Sequence, residues 1–417
     1  MRQSWKGILL VGTCLCLVSM LPLACFAQGD RAGERWTETA QLAFLQRHWQ
    51  TPIPLQGPPP TTYSQLEASL QPESCGVCHP QQYRDWKSTL HARSMGPGVR
   101  GQTQAFVGRD PATALLCYSC HAPLAEQAEK LQDQGTFLDN PQFNPDLHRK
   151  GLTCAGCHVR NHERYGPPYR EGSPAASRPR EALPHRGATT SPAFERAEFC
   201  RSCHQFGEDG YALNGKFLEN TYNEWKAGPY ARAGIQCQTC HMPDRRHLWR
   251  GIHDPEQVKG GVTIRLTTGK PRYRPGETAE AVLVIENSGV GHYFPTYVTP
   301  KVFVRAELLD QRGKAVRNSL EEAVIGREVT LDLSRELYDT RIPPHQRFTF
   351  RYHRPIRGKG WRLQVQVTVH PDHFYERFFT SVLEGSTSPE GRTLLQEALE
   401  RTRRSTFSIF SRKIPIS

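Results

Sequence analysis

Between residues 262 and 370 apolar and polar side chains alternate in short runs: VTIRLTT, TAEAVLVIENS, KVFVRAELL, RFTFRYH and WRLQVQVTVH. A period of two puts successive side chains on opposite faces of a strand, and turn signals such as RPGE and DQRG separate the runs. The pattern predicts an all-β, immunoglobulin-like sandwich over 259–385. Two other segments have the helical period. One is ERWTETAQLAFLQRHWQ; the other is SPEGRTLLQEALERTRR, with Ser388 as cap, Pro389 in the first turn and Leu394, Leu395, Ala398 and Leu399 on one stripe. The second is expected to pack back on the sandwich, with SIFSRKIPIS as a last strand or tail, so that 386–417 form a C-terminal helix and tail.

From 70 to 258 no long period of either kind survives. The 34 glycines and 32 prolines of the chain favour short helices joined by loops, so a loop-rich, mainly α domain is expected there. Ahead of it, residues 28–69 read as one helix followed by the extended segment TPIPLQGPPPTT. The first 27 residues carry Arg2 and Lys6 before an apolar run, with small residues Cys25 and Ala27 before a cut at Gln28. They read as an export signal and predict a periplasmic protein. The alternative is a lipid anchor at Cys25, or a place on the cell surface.

Length and charge alter this picture in two ways. A chain of 417 residues suggests two or three domains, yet only 37% of it is apolar, so something besides side chains is expected to fill part of the interior. The formal charge of +12 would suit an acidic partner, but the basic residues are scattered and the chain is exported. Nucleic acid is therefore excluded as a partner.

The cysteines identify the missing filler. Ten of the thirteen follow the signal, and all ten fall in one pattern, Cys-x-x-Cys-His: CGVCH (75–79), CYSCH (117–121), CAGCH (154–158), CRSCH (200–204) and CQTCH (237–241). Two thiols three residues apart can form thioethers to the two vinyl groups of one haem, and the next residue presents an imidazole to its iron. Zinc sites pair two Cys-x-x-Cys elements and have no need of a histidine after each. A dithiol oxidoreductase needs one motif, and a disulfide framework does not dictate histidines. The pattern predicts five covalently attached haem c groups held by Cys75, Cys78, Cys117, Cys120, Cys154, Cys157, Cys200, Cys203, Cys237 and Cys240, with His79, His121, His158, His204 and His241 as proximal ligands. Ten propionates would offset most of the positive charge.

Twelve histidines remain. His91, His162, His185, His253 and His292 each sit among Gly, Pro or aromatic residues, as expected of a loop against a haem face, and are the candidate distal ligands. His148 and His247 are held in reserve, and Met95 is the methionine candidate. His48, His345, His353, His370 and His373 read as exposed surface residues. A partial repeat aligns DWKSTLHAR (85–93) with EWKAGPYAR (224–232), placing Tyr230 where the first copy has His91. Tyr230 is either a packing residue or the mark of an open, substrate-accessible iron.

CGVCHPQQYRDWKSTLHA and EWKAGPYARAGIQCQTCHMP resemble stretches of the soluble multihaem cytochromes that take electrons from hydroxylamine oxidation in nitrifying bacteria. The resemblance spans about residues 75–245. It implies haems in close parallel and perpendicular pairs, mostly bis-histidine ligation with His91 as a distal ligand, and electron transfer between periplasmic partners. The chain departs from that family in having five motifs rather than four and a β-rich extension carrying GHYFPT. In that respect it resembles larger multihaem cytochromes, in which the histidine of such a loop is supplied across the domain boundary.

The expected function is electron transfer between periplasmic or membrane-bound redox proteins. One alternative is an oxidoreductase acting on a small nitrogen or sulfur oxide at one five-coordinate haem. The other is a cytochrome subunit docked on a membrane redox complex through its sandwich.

Overall fold

The structure is a computed structural model describing residues 36–385 and 388–416. The export signal expected over 1–27, with Cys25, lies outside the described residues.

The alternating runs form strands where their period places them. Two antiparallel sheets result: Glu321–Ile325, Lys301–Leu309, Arg362–His370 and Phe407–Pro415 in one, and Arg347–Pro355, Thr278–Asn287 and Val262–Thr268 in the other. Leu363, Val365, Val367 and Val369 face inward from the first sheet, and Ala279, Ala281, Leu283 and Ile285 from the second, all in one apolar core. Burying each of the larger side chains contributes about 1.5–3 kcal/mol. The tail is a true strand: Phe407–Pro415 pairs along Arg362–Val369 with one register shift.

The helix Pro389–Arg404 corrects one expectation. Its apolar stripe does not return to the sheets. Leu395 and Ala398 pack with Phe379 of a further helix, His373–Glu384, and both helices lie on Pro97–Val107 of the cysteine-rich region. Glycines make that approach possible, since a Cβ on Gly101 would sit 2.9 Å from Leu395 Cγ and one on Gly98 2.9 Å from Phe379 Cζ. The helix His373–Glu384 lies in the span expected to be all β.

The cysteine-rich region consists of short helices and two-stranded hairpins, with several small apolar clusters in place of one large core. His48 does not lie on the surface as expected: it is buried among Phe44, Trp49, Tyr165, Phe194 and Phe199. Met95 is buried with Ala114, Tyr118, Ala122 and Ala128 and serves packing.

The β-rich part is fastened to this region by buried charge. Arg327 donates through Nε to Glu336 (2.7 Å) and through its Nη atoms to the carbonyls of Leu213, Lys216 and Phe217. It thereby holds the hairpin of Ala212–Leu213 and Lys216–Phe217. A buried cation satisfied this fully costs about 3–5 kcal/mol when its partner is removed. Everything from Trp36 onward clusters as one unit.

Gly101→Val should lower stability by about 1–3 kcal/mol through overpacking against Leu395, read as an earlier denaturation midpoint of the intact protein. An unchanged midpoint would mean that the C-terminal helix is not seated on Pro97–Val107.

Candidate functional site

Each Cys-x-x-Cys-His motif lies on a short helix, and each histidine is at or next to its last residue: Pro72–Cys78 with His79 capping it, Pro111–His121, Cys154–His158, Glu198–His204 and Cys237–His241. On a helix, residues i, i+3 and i+4 share one face. Both thiols and the imidazole of a motif are therefore presented together, and all ten cysteines are free of disulfides.

The motifs adjoin one another in a definite order. The thiol of Cys75 (first motif) lies beside that of Cys154 (third), Cys120 (second) beside Cys203 (fourth), and Cys200 (fourth) beside Cys237 (fifth). Cys157 of the third motif acts electrostatically on both Cys200 and Cys203. The fourth motif is thus the one around which the second, third and fifth gather.

Four of the five motif histidines are held by hydrogen bonds at Nδ1. His121 donates to the Ser94 carbonyl (2.8 Å), His158 to that of Tyr165 (2.7 Å) and His241 to that of Arg250 (2.7 Å). His204 instead bonds a side chain, the Tyr297 hydroxyl, at 2.7 Å, with Glu219 Oε1 3.9 Å away. Tyr297 is contributed by the loop between the two β-sheets and holds φ at +67°, a left-handed conformation costly for a non-glycine residue. A bond at Nδ1 fixes the tautomer and leaves Nε2 with its lone pair.

Three of these imidazoles face another imidazole. Ring centroids are 6.2 Å apart for His204 and His91, 6.1 Å for His158 and His247, and 6.4 Å for His241 and His292. Two metal–nitrogen bonds of about 2 Å each, added to the half-widths of two rings, span this distance. Desolvation lowers the pKa of His91 to about 3 and those of His158, His204 and His292 to about 4. They are neutral at pH 7, the form in which imidazole ligates metal. His91 Nδ1 is moreover buried without a hydrogen-bond partner, as suits an atom meant for a metal.

The other candidates are placed as follows. His185 donates from Nδ1 to the Gly187 carbonyl (3.0 Å), and its loop is tied down by Tyr63 and Glu67. His162 is buried with Nε2 on the Gly57 carbonyl and Nδ1 without a partner. His148 bonds the Gln127 carbonyl and meets Tyr118 and Phe143 edge-on. His253, expected to face a haem, instead sets Nε2 3.0 Å from both oxygens of Asp372. The reserve residue His247 is the one opposite His158. Tyr230 donates to the Ser288 carbonyl (3.3 Å) and stacks on His345.

The residues fit a c-type haem at each motif by donor set, and beside the first and second motifs and His91 by exposed apolar surroundings. Val77 within the first motif, Leu116 beside the second and Leu90 beside His91 are 62%, 72% and 52% exposed. Such apolar area suits cover by a macrocycle. Sequence reasoning missed Tyr297, whose only signal was an aromatic residue in GHYFPTY, and Glu219, which carried none.

A family model described as "Cytochrome c554 and c-prime" matches residues 74–159, which hold the first three motifs. The chain shares its fold with a penta-heme cytochrome c552 from Thermochromatium tepidum, with a TM-score of 0.56 and 18% identity over 84% of this chain and 100% of that one. The CARDB domain of a Pyrococcus furiosus protein matches at a TM-score of 0.17 and 13% identity, over 25% of this chain and 67% of that one, too distant to bear on the fold. No curated protein matches the chain. The family match and the penta-heme neighbour support a multihaem c-type cytochrome.

Proposed function

We propose that this chain is an exported pentahaem cytochrome that passes electrons between periplasmic or membrane-bound redox proteins. The observation that carries the reading is the contact order of the five motifs, first to third to fourth, with the second and fifth also on the fourth. It is supported by imidazole pairs spaced for one iron between them.

In this reading the ten cysteines hold five haem c groups, and His79, His121, His158, His204 and His241 are proximal ligands. His91 is the distal partner of His204, His247 of His158 and His292 of His241, while His185, whose pKa is lowered by desolvation and by nearby His79 among other groups, is the candidate for His79. The bound haems supply one-electron redox chemistry at low potential, since histidine pairs lack the potential-raising methionine. Burial holds His91, His158, His204 and His292 neutral, and bonds at Nδ1 orient His121, His158, His204 and His241. His292, from the β-rich part, reaches the fifth motif, so both parts of the chain build one electron-transfer unit.

The resemblance to carriers of hydroxylamine-derived electrons is the narrower form of the same reading. The oxidoreductase alternative leaned on Tyr230 as an open-site residue. With its hydroxyl on Ser288 and its ring on His345, Tyr230 lends that alternative no support, and the carrier reading stands better. The two sheets around one core support an immunoglobulin-like description.

Haem quantification and intact mass should give five haems per chain, and His292→Ala should turn one haem high-spin in the electron paramagnetic resonance spectrum. Fewer than five haems would overturn the count, and an unchanged spectrum would remove His292 from the ligand set.

Tyr297→Phe removes the one side-chain partner hydrogen-bonded to a motif imidazole among the described residues. Outer-shell partners of this kind are worth about tenfold or more. The expected outcome is a tenfold change in the ferric-to-ferrous ratio of one haem at fixed potential, about 59 mV upward, read by spectropotentiometry. Five unmoved potentials would refute the role given to Tyr297.

A further inference from the structure

The repeat DWKSTLHAR/EWKAGPYAR is not explained by ligation, because its two copies carry different residues at the ligand position. Besides Lys, Ala and Arg, they share the acid and the tryptophan, and these two make analogous contacts in both copies. Trp86 Nε1 donates to the Leu152 carbonyl (2.8 Å), and Trp225 Nε1 to the Ile235 carbonyl (2.9 Å). Leu152 and Ile235 each stand two residues before the first cysteine of a motif, the third and the fifth respectively.

The acids reach the opposite side of those same motifs. Asp85 accepts two bonds from Arg246, both 2.7 Å, and one from the backbone N–H of His247 (3.1 Å). His247 is the imidazole facing His158 of the third motif. Glu224 accepts from Arg341 (2.6 Å), from the backbone N–H of Tyr293 (3.2 Å) and from the Thr296 hydroxyl (3.2 Å). Tyr293 follows His292, the imidazole facing His241 of the fifth motif. Both carboxylates are buried, at 6% and 7% exposure. Outside the repeat, Glu67 takes the backbone N–H of His185 at 2.6 Å.

We propose that each acid–tryptophan pair is a two-sided clamp on one haem site: the tryptophan sets the proximal motif, and the carboxylate, locked by an arginine, positions the loop bearing the distal histidine. Asp85 and Glu224 are positioning residues, acting through the backbone N–H groups of His247 and Tyr293. The argument is one of preorganisation. Short loops rich in Gly and Pro have no helical ladder to fix a ligand, and a charge-assisted bond to the backbone at the histidine supplies the missing constraint. Two copies of one sequence unit thus serve the third and fifth sites, although only the first also carries His91.

This inference rests on the pentahaem reading, and its test separates the two. Asp85→Asn and Glu224→Gln would be prepared in the full chain, with five haems verified by mass. Each variant is then compared with His247→Ala and His292→Ala by electron paramagnetic resonance and by cyanide titration. Fewer than five haems in the unmodified chain would defeat the pentahaem reading itself. With five present, Asp85→Asn should raise the cyanide affinity of one haem about tenfold or more, and that haem should be the one made high-spin by His247→Ala. Glu224→Gln should act on a different haem, the one altered by His292→Ala. Arg246→Gln, at a half-exposed position where loss of folding is not expected, should move the same haem as Asp85→Asn. The clamp is overturned if no haem changes, if the acid and its histidine affect different haems, or if the acid variants lose haem generally.

Discussion

The structure depends on a single helical turn used five times. Cysteine, cysteine and histidine at i, i+3 and i+4 can converge on one haem only if that turn is held, and with successive motif histidines 42, 37, 46 and 37 residues apart the intervening chain is too short to build a core of its own. The motifs must therefore support one another, and the contacts Cys75 with Cys154, Cys120 with Cys203 and Cys200 with Cys237 are where they do so. The small apolar clusters of this region follow from the same constraint: they fill the gaps between motifs rather than organise them.

Local chemistry was legible in the sequence, and long-range placement was not. The five strand runs come from a period of two, a property of neighbours, and the cysteine motifs likewise need only five consecutive residues. The helix His373–Glu384 escaped because its apolar positions, Phe374, Phe378, Phe379 and Val382, are mostly aromatic, a residue type that fits strands equally well. Distal histidines were harder still. His253 and His247 both sit in the loop segment between Pro243 and Pro255, and only the tertiary structure sends one to Asp372 and the other to face His158. His48 looked like a surface residue because Tyr165, Phe194 and Phe199, which close the aromatic box begun by Phe44 and Trp49, lie far away in sequence.

Buried charge is concentrated where loops must be precise. Glu224 joins Arg341, which is itself held by Asp339 at 2.8 and 2.9 Å, and Asp339 accepts from Lys216 at 2.6 Å. Such networks contribute little net stability, because desolvation offsets attraction. Their value is geometric: each fixes a segment that carries no regular hydrogen-bond ladder. The acidic residue of the repeat belongs to this class, which explains why its two copies keep the acid and the tryptophan while differing at the seventh position.

The β-rich part cannot be regarded as an appendage. One loop, entered from Thr278–Asn287 and left into Lys301–Leu309, delivers His292 to the fifth motif and Tyr297 to the imidazole of the fourth. The loop is made rigid at its root, where Asn287 donates to the carbonyls of His292 and Ile342, and at its tip, where Glu224 takes the N–H of Tyr293. Sheets give such a loop a fixed origin that short helices joined by loops could not. In the proposed electron-transfer reading the fourth motif is the junction of the array, and a tyrosine at its imidazole would act on the route shared by its neighbours. The fold brings that hydroxyl to the fourth motif from outside the cysteine-rich region.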